Sequence, residues 1–84
     1  MRIALKLYAS LSHLLPPEAA RGNRMVVNVD PANTIAEIID RYRVPQESAH
    51  LVMVNGLFIA PSERASRRLQ ENDELAIWPP VAGG

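Results

Sequence analysis

The chain has 84 residues, of which 48% are apolar, 21% charged and 5% aromatic, with no cysteine. That length supports one small domain burying roughly 60–65% of its unfolded surface, with no room for a cofactor crevice of its own. Nine Lys+Arg balance nine Asp+Glu, so the basic excess usual in nucleic-acid binders is absent. The lack of cysteine excludes disulfides, thiolate zinc sites and a cysteine nucleophile, and fits a reducing compartment. No apolar run approaches the ~18 residues of a membrane span. Lys6 interrupts the opening MRIALKLYASL and no small-residue cleavage site follows. No secretory signal is therefore expected, the expected location is the cytoplasm, and neither nucleic acid nor membrane is an expected partner.

Residues Arg2 to Tyr8 alternate, with Ile3, Leu5 and Leu7 on one face and Arg2, Ala4 and Lys6 on the other, the period of a half-buried strand. Leu11, Leu14 and Leu15 then stand at helical spacing, predicting one or two turns capped by Ser10 and stopped by Pro16 and Pro17. This connection is long for a hairpin, so it is expected to pack on the body. Arg24 to Asp30 alternates again, with Met25, Val27 and Val29 inward.

Thr34 to Arg43 is the main helix. Ile35, Ile38, Ile39 and Tyr42 form one apolar stripe, and Thr34 with Glu37 makes an S/T-x-x-E capping box. Pro45 is expected to end it. The run Leu51 to Val54 predicts a strand buried on both faces. Asn55-Gly56 predicts a tight hairpin, because both residues tolerate positive φ. Leu57 to Ala60 would return, and Ser62 to Leu69 reads as an irregular or weakly helical connection. Glu71-Asn72-Asp73 reads as a turn. Glu74 to Trp78 is the last strand, with Leu75 and Ile77 on one face, ended by Pro79 and Pro80.

One helix against a mixed sheet of four to five strands is an α+β two-layer sandwich. The order suits a ubiquitin-like β-grasp. A ferredoxin-like split βαβ unit would need a second long helix, and residues 61–73 offer only a poor one. The expected organisation is a domain over residues 1–78 and a flexible, extended C-terminal tail over 79–84.

Few side chains carry chemistry. His13 and His50 lack partners at metal-ligand spacing, no serine stands in a G-x-S-x-G context, and no phosphate-binding glycine loop is present. Arg64, Arg67 and Arg68, like Glu71, Asp73 and Glu74, read as solvated charges. The unusual feature is Gly83-Gly84. At ~7% glycine usage a terminal pair arises by chance in about 0.5% of chains. It closes WPPVAGG, in which Pro79 and Pro80 stiffen the exit. From Pro79 to Gly84 the tail reaches about 20 Å if extended. Val81, Ala82, Gly83 and Gly84 diminish in side chain towards the end, a taper suited to a narrow channel that presents the Gly84 carboxylate to a partner's active site. A carboxylate must be activated before it reacts. ATP is the simplest reagent, and an enzyme other than this chain must bind it.

WPPVAGG, the VMVNG hairpin, the ENDEL turn into the last strand and the chain length together resemble the MoaD/ThiS family of ubiquitin-like sulfur carriers. The resemblance covers essentially the whole chain. It implies that a ubiquitin-activating-type adenylyltransferase uses ATP to adenylate Gly84. Sulfur from a cysteine desulfurase or rhodanese-like protein then displaces AMP, leaving a thiocarboxylate that donates its sulfur. The chain would be a protein co-substrate, not an enzyme, with no bound cofactor or metal. Pro79, Pro80, Val81, Ala82 and Gly83 would form the partner-binding tail. Phe58 and Trp78 would offer an apolar sheet surface near its root, aromatic residues being common interface anchors.

PPVAGG and the long Ala9–Asn23 connection resemble the molybdopterin branch, whose partner is the molybdopterin synthase large subunit. VNGLFIAPSERAS resembles the thiamine branch, whose acceptor is thiazole synthase, and Trp78 stands where the family often has Phe. The balance favours molybdopterin synthesis. A thiamine, tungsten-cofactor or other sulfur pathway is the alternative, as are a ubiquitin-like protein modifier and a plain interaction module with an inert tail.

Overall fold

Alternating apolar residues build the sheet. The computed structural model of the chain describes residues 1–80. Strand β1 (Arg2–Leu7) buries Ile3, Leu5 and Leu7. It runs antiparallel to β2 (Arg24–Asn28), with Leu5 opposite Met25 and Lys6 opposite Arg24. β3 (Leu51–Val54) and β4 (Leu57–Phe58) form the expected hairpin. Its turn places Asn55 at φ 51° and Gly56 at φ 83°, the positive angles that this dipeptide adopts at low cost. β5 (Glu74–Trp78) lies at the centre, parallel to β1 and antiparallel to β3. The sheet order is β2-β1-β5-β3-β4, a mixed five-stranded β-grasp arrangement.

Helix α2 (Ile35–Arg41) packs Ile35, Ile38 and Ile39 into the core, with Tyr42 half-buried at its C-cap. The capping box forms as expected: the Glu37 amide donates to Thr34 Oγ1 at 3.2 Å and the Thr34 amide donates to Glu37 Oε1 at 2.8 Å. The helix is shorter than the Thr34–Arg43 span read from periodicity. It ends before Pro45 acts, because Arg43 turns into the left-handed region at φ 63°. The Val44 amide then reaches Ile39 O at 3.2 Å and the Arg43 amide reaches Asp40 O at 3.0 Å. That double return is a Schellman ending, with an arginine where glycine is usual.

The Ala9–Asn23 connection packs on the body, burying Leu11 and Leu15. Its local structure differs from expectation. Ser10 caps nothing; a 3-10 segment over Ala9–Leu14 starts after Tyr8, without a side-chain cap. Pro17 begins a four-residue helix, α1 (Pro17–Ala20), instead of only stopping one. Proline's fixed φ suits a first helical turn, where its missing N–H is no loss. β3 also departs from expectation. Val52 and Val54 are buried whereas Leu51 and Met53 are half-exposed. An apolar run signals two covered faces only where a second layer exists, and among the described residues α2 covers one face alone.

Candidate functional site

Register decides what the face away from α2 carries. Lys6 pairs with Arg24 and Ala76, Ala76 with Met53, and Met53 with Phe58. These five side chains form one row across all five strands. The next row places Leu51 opposite Trp78. The Tyr8 ring stacks on Trp78 with centroids 4.4 Å apart and planes 2° from parallel. Phe58 is 55% exposed, and Leu51, Met53, Tyr8 and Trp78 are each partly exposed. Trp78 ends β5, so this apolar face lies at the root of the segment that begins at Pro79. Pro79 is half-buried and Pro80 exposed. Val81, Ala82, Gly83 and Gly84, the rest of the proposed tail, lie outside the described residues.

Phe58 and Trp78 therefore occupy the same sheet face, in neighbouring rows, and neither joins the buried core. Two features of this face escaped the reading of isolated segments. Alternation marks Tyr8 only as the end of a strand, since its stacking partner is set by the parallel β1–β5 register. Lys6 and Glu74 form an ion pair at 3.3 Å, again across that register. The hydrogen bond that Lys6 donates to Glu74 raises the Lys6 pKa above its ordinary value, and burial opposes the shift.

The charged residues read as solvated separate into two groups. Arg67 and Arg68 are exposed. Arg64 is instead 9% exposed. Its guanidinium donates to Ala49 O at 2.6 Å and His50 O at 3.4 Å, tying the segment after Pro61 to the chain entering β3. Burial lowers its pKa, and its Nε is buried without a partner. It lines an open groove of about 860 Å³ with Ala36, Ile39, Asp40, Glu47 and His50. The acidic turn is also structural. The Glu71 carboxylate accepts from the Arg2 amide at 3.2 Å, and Asp73 accepts from Asn55 Nδ2 at 2.9 Å and the Gln70 amide at 2.8 Å.

Both histidines are exposed. His13 hydrogen-bonds the Ser10 carbonyl, and His50 lies just before β3. Among the described residues no three His, Asp or Glu side chains converge as a metal site. No helix there is long and apolar enough to cross a membrane.

The ThiS family model matches residues 8–84. Among solved structures, SAMP1 from Haloferax volcanii is similar at 24% identity, covering 100% of both chains with a TM-score of 0.67. The H. volcanii small archaeal modifier protein 1 is similar at 26% identity, over 95% of this chain and 98% of that one, with a TM-score of 0.62. The complex of subunits 1 and 2 of the molybdopterin-converting factor from Helicobacter pylori 26695 contains a chain similar at 15% identity. That match covers 100% of each chain with a TM-score of 0.57. These likenesses bear out the ubiquitin-like β-grasp. No curated protein sequence matches the chain.

Proposed function

This chain belongs to the ThiS family, and from that premise we propose that it is a sulfur carrier working through the Gly84 carboxyl group. Residues 1–78 act as the recognised body and residues 79–84 as the arm inserted into partner enzymes. The observation that carries this reading is the position of Trp78. β5 delivers the chain to the rim of an open apolar face, and Pro79 and Pro80 prevent the ladder from continuing. A partner that docks on Leu51, Met53, Phe58 and Trp78 thereby also receives the segment leading to Gly84.

In the proposed cycle a Gly84 carboxylate oxygen attacks the α-phosphorus of ATP held by a partner adenylyltransferase, and pyrophosphate leaves. The outer sulfur of a persulfide, supplied by a cysteine desulfurase or rhodanese-like protein, displaces AMP. Thiol cleavage of the resulting acyl disulfide leaves the thiocarboxylate. The chain supplies no catalytic side chain to these steps and binds no cofactor. Its contribution is the geometry of presentation. Molybdopterin synthesis is the pathway favoured by the PPVAGG ending and by the long, packed connection from Ala9 to Asn23. The likeness to a molybdopterin-converting factor subunit supports the same fold for that role.

Intact mass measurement after incubation with ATP, a cognate activating enzyme and a persulfide donor tests the carrier reading. The expected result is the exchange of one oxygen for sulfur at Gly84, abolished by Gly84→Ala or by one added C-terminal residue. No mass gain with an enzyme proved competent would refute it. The second reading, a protein modifier, is favoured by the near full-length likeness to the small archaeal modifier protein 1. It requires Gly84 remnants in isopeptide linkage to other proteins after digestion.

A further inference from the structure

Of the nine Lys+Arg residues, eight are arginine and one, Lys6, is lysine. We propose that this chain is an acyl donor whose side chains do not accept: its only lysine is withdrawn from acylation by its contact with Glu74. The proposal rests on the reading that Gly84 is activated. An activated acyl carbon is open to any free amine nearby. A deprotonated lysine Nζ attacks the Gly84 carbonyl carbon, the new C–N bond forms, the C–O bond to AMP breaks with its electron pair, and the nitrogen proton goes to solvent. A guanidinium stays protonated at any pH used here and has no lone pair to offer. The eight arginines thus supply positive charge without supplying nucleophiles.

Lys6 is the one exception among the side chains, and two observations restrain it. It stands on β1 in the row Arg24, Lys6, Ala76, Met53, Phe58. A partner docked on the apolar end of that row approaches Lys6 while the carboxyl group is activated. Nζ lies 3.3 Å from Glu74 Oε1, and this contact favours the ammonium, which cannot attack, over the free amine. The Glu74 backbone is itself fixed. Its amide donates to Asn55 Oδ1 at 2.8 Å, and its carbonyl accepts from the Asn55 amide at 2.9 Å. The other charged or titratable groups beside Lys6 are Arg24 across on β2 and Tyr8 two residues along β1. Two copies of the chain would accordingly not join through a lysine, and conjugation, where it occurs, would be single.

The test uses the full chain prepared as a Gly84 thioester by thiol cleavage of an intein fusion, so no activating enzyme is involved. Failure of the donor-only proposal is then separate from failure of the carrier reading. Wild type, Glu74→Gln and Arg67→Lys are incubated at mildly alkaline pH. Covalent dimers are quantified by intact mass and their linkage mapped by digestion, with α-amine products counted separately. Circular dichroism checks that each variant is folded. Arg67 is exposed, so its lysine variant is expected to form dimers linked at position 67 about five-fold or more faster than wild type forms dimers at Lys6. Glu74→Gln is expected to raise the Lys6-linked product about three-fold. Lys6 dimers in wild type forming as fast as those at position 67, or no response to Glu74→Gln, would overturn the proposal.

Discussion

The Trp78 indole lies flat on the Tyr8 ring, with centroids 4.4 Å apart and planes 2° from parallel. The stack joins the end of β1 to the end of β5, where the chain leaves the sheet at Pro79. The Tyr8 amide also donates to Ile77 O at 3.2 Å, so backbone and side chain together hold the root of the arm. Tyr8→Ala is expected to cost about 0.5–1.5 kcal/mol, read as a lower urea midpoint. It should slow thiocarboxylate formation as well, because the arm would leave from a less fixed position. Tyr8→Phe should retain both properties, and a Tyr8→Ala variant with wild-type activation would separate the stack from function.

Phe58 offers the reverse pattern. It is 55% exposed on a two-residue edge strand, so the folded monomer gains little from its ring. Phe58→Ser should change stability by no more than about 0.5 kcal/mol. It should weaken association with the cognate activating enzyme about ten-fold. Calorimetric titration and thermal unfolding of the same preparation check the two expectations together.

Arg64 is expected to behave as a structural residue. Arg64→Met preserves an aliphatic stem but removes the donors to Ala49 O and His50 O. Loss of these bonds at a buried site should destabilise by about 1–3 kcal/mol. Arg67→Ala, on the exposed side of the same segment, should change stability by less than about 0.5 kcal/mol. Parallel denaturant titrations compare them.

Arg43 is a place where the chain is not at its optimum. It occupies the left-handed position of the Schellman ending at φ 63°, where a Cβ costs energy and glycine does not. Arg43→Gly is expected to stabilise by about 0.5–1 kcal/mol, seen as a raised thermal midpoint with unchanged activation.

The local periodicities of this chain determine most of its elements. Alternation marks β1, β2 and β5 directly, the Ile35–Ile38–Ile39 stripe and the Thr34–Glu37 box mark α2, and Asn55-Gly56 marks the hairpin turn. Each of these signals is carried by residues within a few positions of one another. The ending WPPVAGG is the sequence feature on which the proposed role of Gly84 rests. Tertiary structure decided everything that depends on which strand lies beside which. It left one face of LVMV half-exposed because, among the described residues, a single layer covers the sheet. It withdrew Arg64 from solvent by bringing residues 61–65 against the entry to β3. It set Tyr8 on Trp78 and Lys6 beside Glu74, since parallel pairing of the first and last strands joins residues about seventy positions apart, a proximity that no local pattern encodes.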